Sequence, residues 1–273
     1  MTKPQLTRRA AIATTAALPF AVATATKTSA AAPMLGVSQP PFMRVALGGF
    51  EVTTLLAGAR TVDDPQSIFG MNVDAESFAA ASTSAGIPID QVRFFFHPVV
   101  VNTGAELVLF DTGLSGAGTV AALEAAGYSA DQVDVVVITH MHGDHIGGLM
   151  TDGAATFANA RYVMGQVEFD AWASMGNERF DGIVRPLAPQ TTFIGEGGAV
   201  ASGITGMAAF GHTPGHMVYM LESNGATMML GADFANHYVW SLAYPDWEVR
   251  FDMDKGAAAA TRRRLLDMMA ADK

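Results

Sequence analysis

THMHGDHIGG, residues 139–148, places three imidazoles and a carboxylate within six residues: His140, His142, Asp144 and His145. They come directly after the apolar run Val135 to Ile138, which reads as a buried strand. Just past its end His140 and His142 stand two apart, so in extended backbone both side chains leave on the same side. Asp144 and His145 follow where Gly147 and Gly148 open the next element, and the turn can bring a second pair of donors close to the first. Further on, GHTPGH at 211–216 supplies His212 and His216, and LGAD ends in Asp233. Five of the chain's seven histidines therefore fall in two short stretches. Neutral imidazoles and carboxylates suit zinc, and also manganese, iron or cobalt. A loop with only a structural task does not need four donor-type residues at this density.

Around these motifs the pattern is that of a mixed domain. MRVALGGFEVTTLLAG predicts two paired strands turning at Gly48 and Gly49. A strand pair is expected at 93–101 and 106–110, ending in DTG at Asp111 to Gly113, where Asp111 reads as turn chemistry in preference to a catalytic carboxylate. Residues 117–126 predict a helix closed by Gly127, and a further helix is expected to begin over Ile146 to Met150. Beyond these come a strand at 160–165, a helix at 166–175, loop to about 191, and a strand pair at 192–194 and 205–210. VYMLES and ATMMLG flank Asn224-Gly225, a two-residue hairpin, and the second run delivers Asp233. AAAATRRRLLDMMAA reads as a helix with Leu265, Leu266, Met268 and Met269 on its apolar face and Arg262 to Arg264 in water.

Half of the 273 residues are apolar, enough to bury one large core, and no internal repeat is visible. A formal charge of −10 disfavours a nucleic-acid partner, and the partner expected is a small-molecule substrate. The absence of cysteine excludes disulfides and thiolate ligands. At the N-terminus Lys3, Arg8 and Arg9 precede a weakly apolar stretch and then TKTSAAAP, the order of an export signal. TRRAAI resembles the twin-arginine motif, with Ala11 where phenylalanine is usual. We expect a signal over 1–31, cleaved after Ala30 or Ala31, a linker over 32–41, and a single domain over 42–273 that is periplasmic or secreted. The apolar part falls short of the ~20 residues of a membrane span, so no stable membrane anchor is expected.

THMHGDHIGG matches the HxHxDH signature of the metallo-β-lactamase fold superfamily, and GHTPGH and LGAD match its next two ligand motifs in order. MRVALGGFEVTTL, VVVNTGAELVLFDTG and AAGYSADQVDVVVITHMHGDHIGGLM resemble the early segments of the exported methyl-parathion-hydrolase-like branch. The resemblance implies an α/β fold, the αββα sandwich of two mixed β-sheets flanked by helices. It implies two divalent metal ions, one on His140, His142 and His212, the other on Asp144 and His145, with Asp233 bridging both. His216 is expected to support a neighbour rather than bind metal, and His97 to be a strand-end histidine. Two such ions would lower the pKa of a shared water from ~15.7 towards ~7, giving a bridging hydroxide. Asp144 would both ligate and act catalytically, by orienting the hydroxide or by carrying a proton to the leaving group.

Branches of the superfamily that act as β-lactamases use cysteine at the bridging position, so Asp233 favours an ester, lactone or phosphotriester as substrate. Phe94 to Phe96, His97, Phe234, Tyr238, Trp240, Tyr244 and Trp247 lie in segments leading to the metal-bearing edge, as pocket or as packing. The resemblance leaves room for a homodimer. It also implies a last histidine on a strand beyond the final helix, and no histidine follows His237. Either the sequence is a piece of a longer reading frame lacking that strand, or the second site is incomplete, with His237 as a substitute or simply packed. Two other readings share the motifs: an iron-dependent oxidoreductase of the same fold, and a catalytically impaired metal-binding fragment.

Overall fold

Two apolar sheet faces pressed together, each covered by helices on its other side, hold most of the fully buried aliphatic side chains among the described residues. The computed structural model describes residues 38–271. The expected export signal and most of the linker lie outside the described residues.

The described residues open with the antiparallel hairpin expected at Gly48 and Gly49, β1 (Phe42–Leu47) and β2 (Phe50–Leu55). β3 (Gly58–Asp63), α1 (Ala75–Ser84) and β4 (Gln91–Phe96) follow, with β4 paired to β3 in a small separate sheet. β5 (Val99–Asn102) and β6 (Leu107–Phe110) lead to α2 (Gly116–Ala125), β7 (Val135–Ile138) and the single turn α3 (Gly143–Ile146). A short ribbon, β8 (Met150–Thr151) and β9 (Ala154–Ala155), precedes β10 (Arg161–Gly165), α4 (Gln166–Ser174), α5 (Glu178–Ile183) and β11 (Thr191–Ile194). Last come β12 (Ala199–Ala201), β13 (Ile204–Ala208), β14 (Met217–Ser223), β15 (Ala226–Leu230), a π-helical stretch Tyr238–Ala243, and α6 (Lys255–Ala271).

One sheet has seven strands in the order β1-β2-β5-β6-β7-β10-β11, parallel from β6 through β11 and antiparallel elsewhere. The other is the antiparallel run β12-β13-β14-β15. Alternation along β7 shows how the layers form: Val135 and Val137 face the second sheet, where Met217, Tyr219 and Leu221 meet them, while Val136 and Ile138 face α2, α4 and α5. On the outer face of the smaller sheet Val218 packs with Ala209, Phe234 and Leu265 of α6. This is the expected αββα sandwich.

Several local expectations are corrected. The expected strand over 93–101 is broken at His97-Pro98, so Phe96 pairs with Gly58 while Val99 belongs to the large sheet. Proline lacks the N–H a continuous strand would need. β11 and β13 lie in different sheets and do not pair with each other. α3 ends at Ile146, before the helix expected there, and the expected loop to 191 contains α5. Arg262, expected in water, is fully buried, whereas Arg263 and Arg264 are exposed.

Candidate metal centre

Strand ends converge on one edge of the sandwich. Asp111 follows β6, His140 follows β7, His212 follows β13 and Asp233 follows β15, so residues far apart in sequence meet just past carboxyl ends of strands. The His140 Nε2, His142 Nδ1 and His212 Nε2 atoms form a triangle with sides of 3.1, 3.0 and 3.2 Å. A tetrahedral ion with metal–nitrogen bonds of ~2.0–2.1 Å keeps its ligand nitrogens roughly 3.3–3.4 Å apart, so the triangle has the size of one ion. Its hydrogens point to the same conclusion. The Thr139 hydroxyl donates to Asp111 Oδ2 at 2.9 Å and so accepts from His140 Nδ1 at 3.0 Å, while His212 Nδ1 donates to Asp252 Oδ1 at 2.9 Å. Both Nε2 atoms therefore turn lone pairs towards each other. At most one hydrogen, on His142, is available to a triangle whose edges are all short, and a cation resolves that conflict.

The second half lies alongside. Asp233 Oδ1 is 3.5 Å from His145 Nε2 and its Oδ2 is 3.5 Å from His212 Nε2, so the two oxygens of one carboxylate reach into two donor groups. His140, His145 and Asp233 form a second compact set with the reach of a metal site. Asp144 is looser: its Oδ2 stands 3.8 Å from His145 Nε2, outside both compact sets, with the side chain 33% exposed. His216 is excluded from ligation by its bonds, since Nδ1 donates to the Ala209 carbonyl and Nε2 accepts the backbone N–H of Asp233 at 3.1 Å. His237 caps the π-helical stretch, its Nδ1 accepting from Val239 and Trp240, and stacks on Trp240.

The electrostatics divide along the same line. Burial, reinforced by the neighbouring imidazoles, holds His140 well below the usual histidine range and pushes His142 down to about 4. Burial acts against the charged form of His145 too, yet the Asp111 and Asp233 carboxylates outweigh it and hold the ring well above its ordinary value. Asp233 is likewise desolvated, but His145, His212 and His216 hold its carboxyl far below the usual carboxylate range. A spot that stabilises positive charge this strongly suits a divalent ion.

Two buried acids support the ligand loops. Asp111, held at a left-handed φ of 61°, accepts from His145 Nδ1 at 2.7 Å and from the Thr139 N–H at 2.9 Å. Glu168, on α4 and 1% exposed, accepts from the Met141 N–H at 2.9 Å, the Gly215 N–H at 2.7 Å and the Thr213 hydroxyl at 2.8 Å. It thereby ties the first histidine loop to the second. Its pKa is raised, chiefly by burial. Gly148 lets the 143–148 loop lie against the DTG turn, where any side chain would run into the Thr112 carbonyl.

The profile of the metallo-beta-lactamase superfamily matches residues 97–272. The chain belongs to that superfamily. Among curated relatives, the anti-Pycsar protein Apyc1 of Paenibacillus sp. (strain J14) is 37% identical over 57 residues, 21% of this chain and 22% of Apyc1. YobT of Bacillus subtilis (strain 168) is 30% identical over 184 residues, 57% of this chain and 74% of YobT. The chain thus spans about a fifth of the first relative and three quarters of the second. Among solved structures the dizinc quorum-quenching lactonase AidC, in complex with a product, superposes with a TM-score of 0.76 at 24% identity, covering 85% of this chain and 87% of AidC. That likeness establishes the metallo-β-lactamase fold and, with the histidine and aspartate cluster, supports divalent metal ions as cofactors.

Beside the superfamily's ligand motifs lies a cavity of about 350 Å³. Asp144, His145 and Asp233 form its polar floor, and Phe94, Phe96, Met229 and Leu230 line its apolar side. The aromatic residues singled out in the sequence therefore separate: Phe94 to Phe96 and His97 line the cavity, Phe234, Trp240 and Trp247 are packed in cores, and Tyr238 is exposed. Sequence reading missed Glu168, Asp252 and Arg262. Arg262 lies four residues after buried Ala258 and three before buried Leu265, so helical spacing already placed it on the buried stripe.

Proposed function

We propose that this chain is a dinuclear metal hydrolase acting on an ester, lactone or phosphotriester. His140, His142 and His212 hold one divalent ion, Asp144 and His145 help to hold a second, and Asp233 joins them. The observation that carries this reading is the reach of Asp233, whose two oxygens address two different donor groups. When bound, two divalent ions supply Lewis acidity and a water acidic enough to act as nucleophile near neutral pH. Asp144, the most exposed carboxylate of the cluster, lines the cavity and takes the proton to the leaving oxygen. Asp111 holds the His145 ring, and Phe94, Phe96, Met229 and Leu230 exclude water and receive the hydrocarbon part of the substrate. The fold shared with AidC supports a lactone as the first substrate to try, and zinc as the first metal. Asp233, in place of a thiolate, favours the ester, lactone and phosphotriester branches, the methyl-parathion-hydrolase-like one included. Export remains part of the proposal and rests on Lys3, Arg8 and Arg9 ahead of the apolar stretch.

The test is turnover of an acyl lactone, an aryl ester, an aryl phosphotriester and a β-lactam by the full chain supplied with zinc or manganese. Hydrolysis of at least one of the first three, lost on chelation and restored by metal, is expected. A single tightly bound iron with persulfide-dependent oxygen consumption, and no hydrolysis, would overturn the reading.

A further inference from the structure

The loop that presents His212 is held by α6 and the turn leading into it. The Met253 N–H donates to the His212 carbonyl at 2.9 Å, the Asp254 N–H to the Gly211 carbonyl at 2.9 Å, and the Thr261 hydroxyl to the Phe210 carbonyl at 2.7 Å. Gly211 lies so close that a Cβ there would collide with the backbone of Ala257 and Ala258. Beneath the loop runs a buried chain of charge. Asp252 Oδ1 takes the hydrogen of His212 Nδ1 at 2.9 Å and its Oδ2 takes Arg262 Nη1 at 2.8 Å. Arg262 spends further hydrogens on the Pro245 carbonyl at 2.8 Å and the Trp247 carbonyl at 3.1 Å. His212, Asp252 and Arg262 are 1%, 2% and 0% exposed. A guanidinium only donates and a carboxylate only accepts, so the chain has one direction. Arg262 donates, Asp252 accepts from both sides, and the hydrogen of His212 sits on Nδ1.

We infer that Arg262, acting through Asp252, is a positioning residue that fixes His212 in the tautomer whose Nε2 lone pair faces His140 and His142, coupling the docking of α6 to metal binding. The inference rests on the three-histidine metal site proposed above. Its sharpest consequence is for Asp252→Asn, which keeps the shape. Arg262 still demands an oxygen, so the new amide turns its NH2 towards His212 Nδ1 and drives the ring hydrogen to Nε2. Adding Arg262→Gln supplies a carbonyl for that NH2 and lets the amide oxygen return to His212.

Two readouts on the full-length chain test this: the tautomer of His212 in long-range proton–nitrogen correlation spectra of metal-free protein, and zinc affinity by chelator competition. The expected results are Nδ1–H in the wild type, Nε2–H with about 10–100-fold weaker zinc binding in Asp252→Asn, and recovery of both in Asp252→Asn/Arg262→Gln. Arg263→Gln, on the exposed side of α6, changes neither. An Nε2–H tautomer in the wild type overturns the inference without any variant, and so does Asp252→Asn with wild-type tautomer and affinity. His140→Ala separates this from the parent reading: if it binds zinc like the wild type, the metal site itself is wrong, whereas lost binding there with unchanged binding in Asp252→Asn refutes only the role of Arg262.

Discussion

The two halves of the cluster are built to different standards of enclosure. In the three-histidine half His140 and His212 are 0% and 1% exposed and His142 is half-buried, and buried carboxylates stand behind the loops that carry them. In the other half the side chains of His145, Asp233 and Asp144 are 12%, 25% and 33% exposed and face the cavity. The enclosed half has two rings held from behind by Thr139 and Asp252, and the open half borders the cavity. On the function proposed above, the first is expected to bind metal more tightly and the second to meet the substrate.

Asp233→Ala is expected to break both halves at once, since its two oxygens reach His145 and His212. Turnover is expected to fall on the order of 10³-fold or more, with metal content dropping from two ions per chain, measured by elemental analysis beside the kinetics. Glu168→Ala breaks the enclosed half through its support. Two backbone N–H groups and the Thr213 hydroxyl would lose their shared acceptor at about 1–3 kcal/mol each, so denaturant unfolding should show a loss of about 3 kcal/mol or more. Asp111→Asn sharpens the contrast from the open side: the ion at His145 should lose about 10–100-fold in affinity in two-step metal titrations, and the one at His140, which Asp111 reaches only through Thr139, should weaken less.

The smallest effect lies outside both halves. Burial pushes His237 down to about 4, below the ~6.5 of an unfolded histidine, and its neutral Nδ1 accepts the N–H groups of Val239 and Trp240. A folded pKa depressed in this way contributes stability that is present above about pH 6.5 and is lost as pH falls towards 4. His237→Phe keeps a ring against Trp240 but removes the cap, costing about 1 kcal/mol at pH 7.5 and flattening that part of the pH dependence in chemical denaturation.

The same division governs what could be read in advance. Ligand-type residues announce themselves by type and spacing: the structure brings His140, His142, His145, His212 and Asp233 together, with His140 rather than Asp144 in the compact set around His145. Strands with strict alternation or a two-residue turn, such as β1 with β2 and β14 with β15, were legible because local pattern decides them. The supporting acids were not, because a lone glutamate on an amphipathic helix looks solvated. On α4 the apolar Val167 is 48% exposed while the neighbouring Glu168 is buried, the reverse of what hydropathy suggests. Sheet membership failed for the same reason: β11 and β13 are close in sequence, but only tertiary packing sends them to different layers.

The most direct test of the account is an anomalous-scattering map of crystals grown with zinc. Two peaks are predicted, one within the triangle of His140, His142 and His212 and one facing His145, with Asp233 between them. A single peak, or two peaks that Asp233 does not separate, would contradict it.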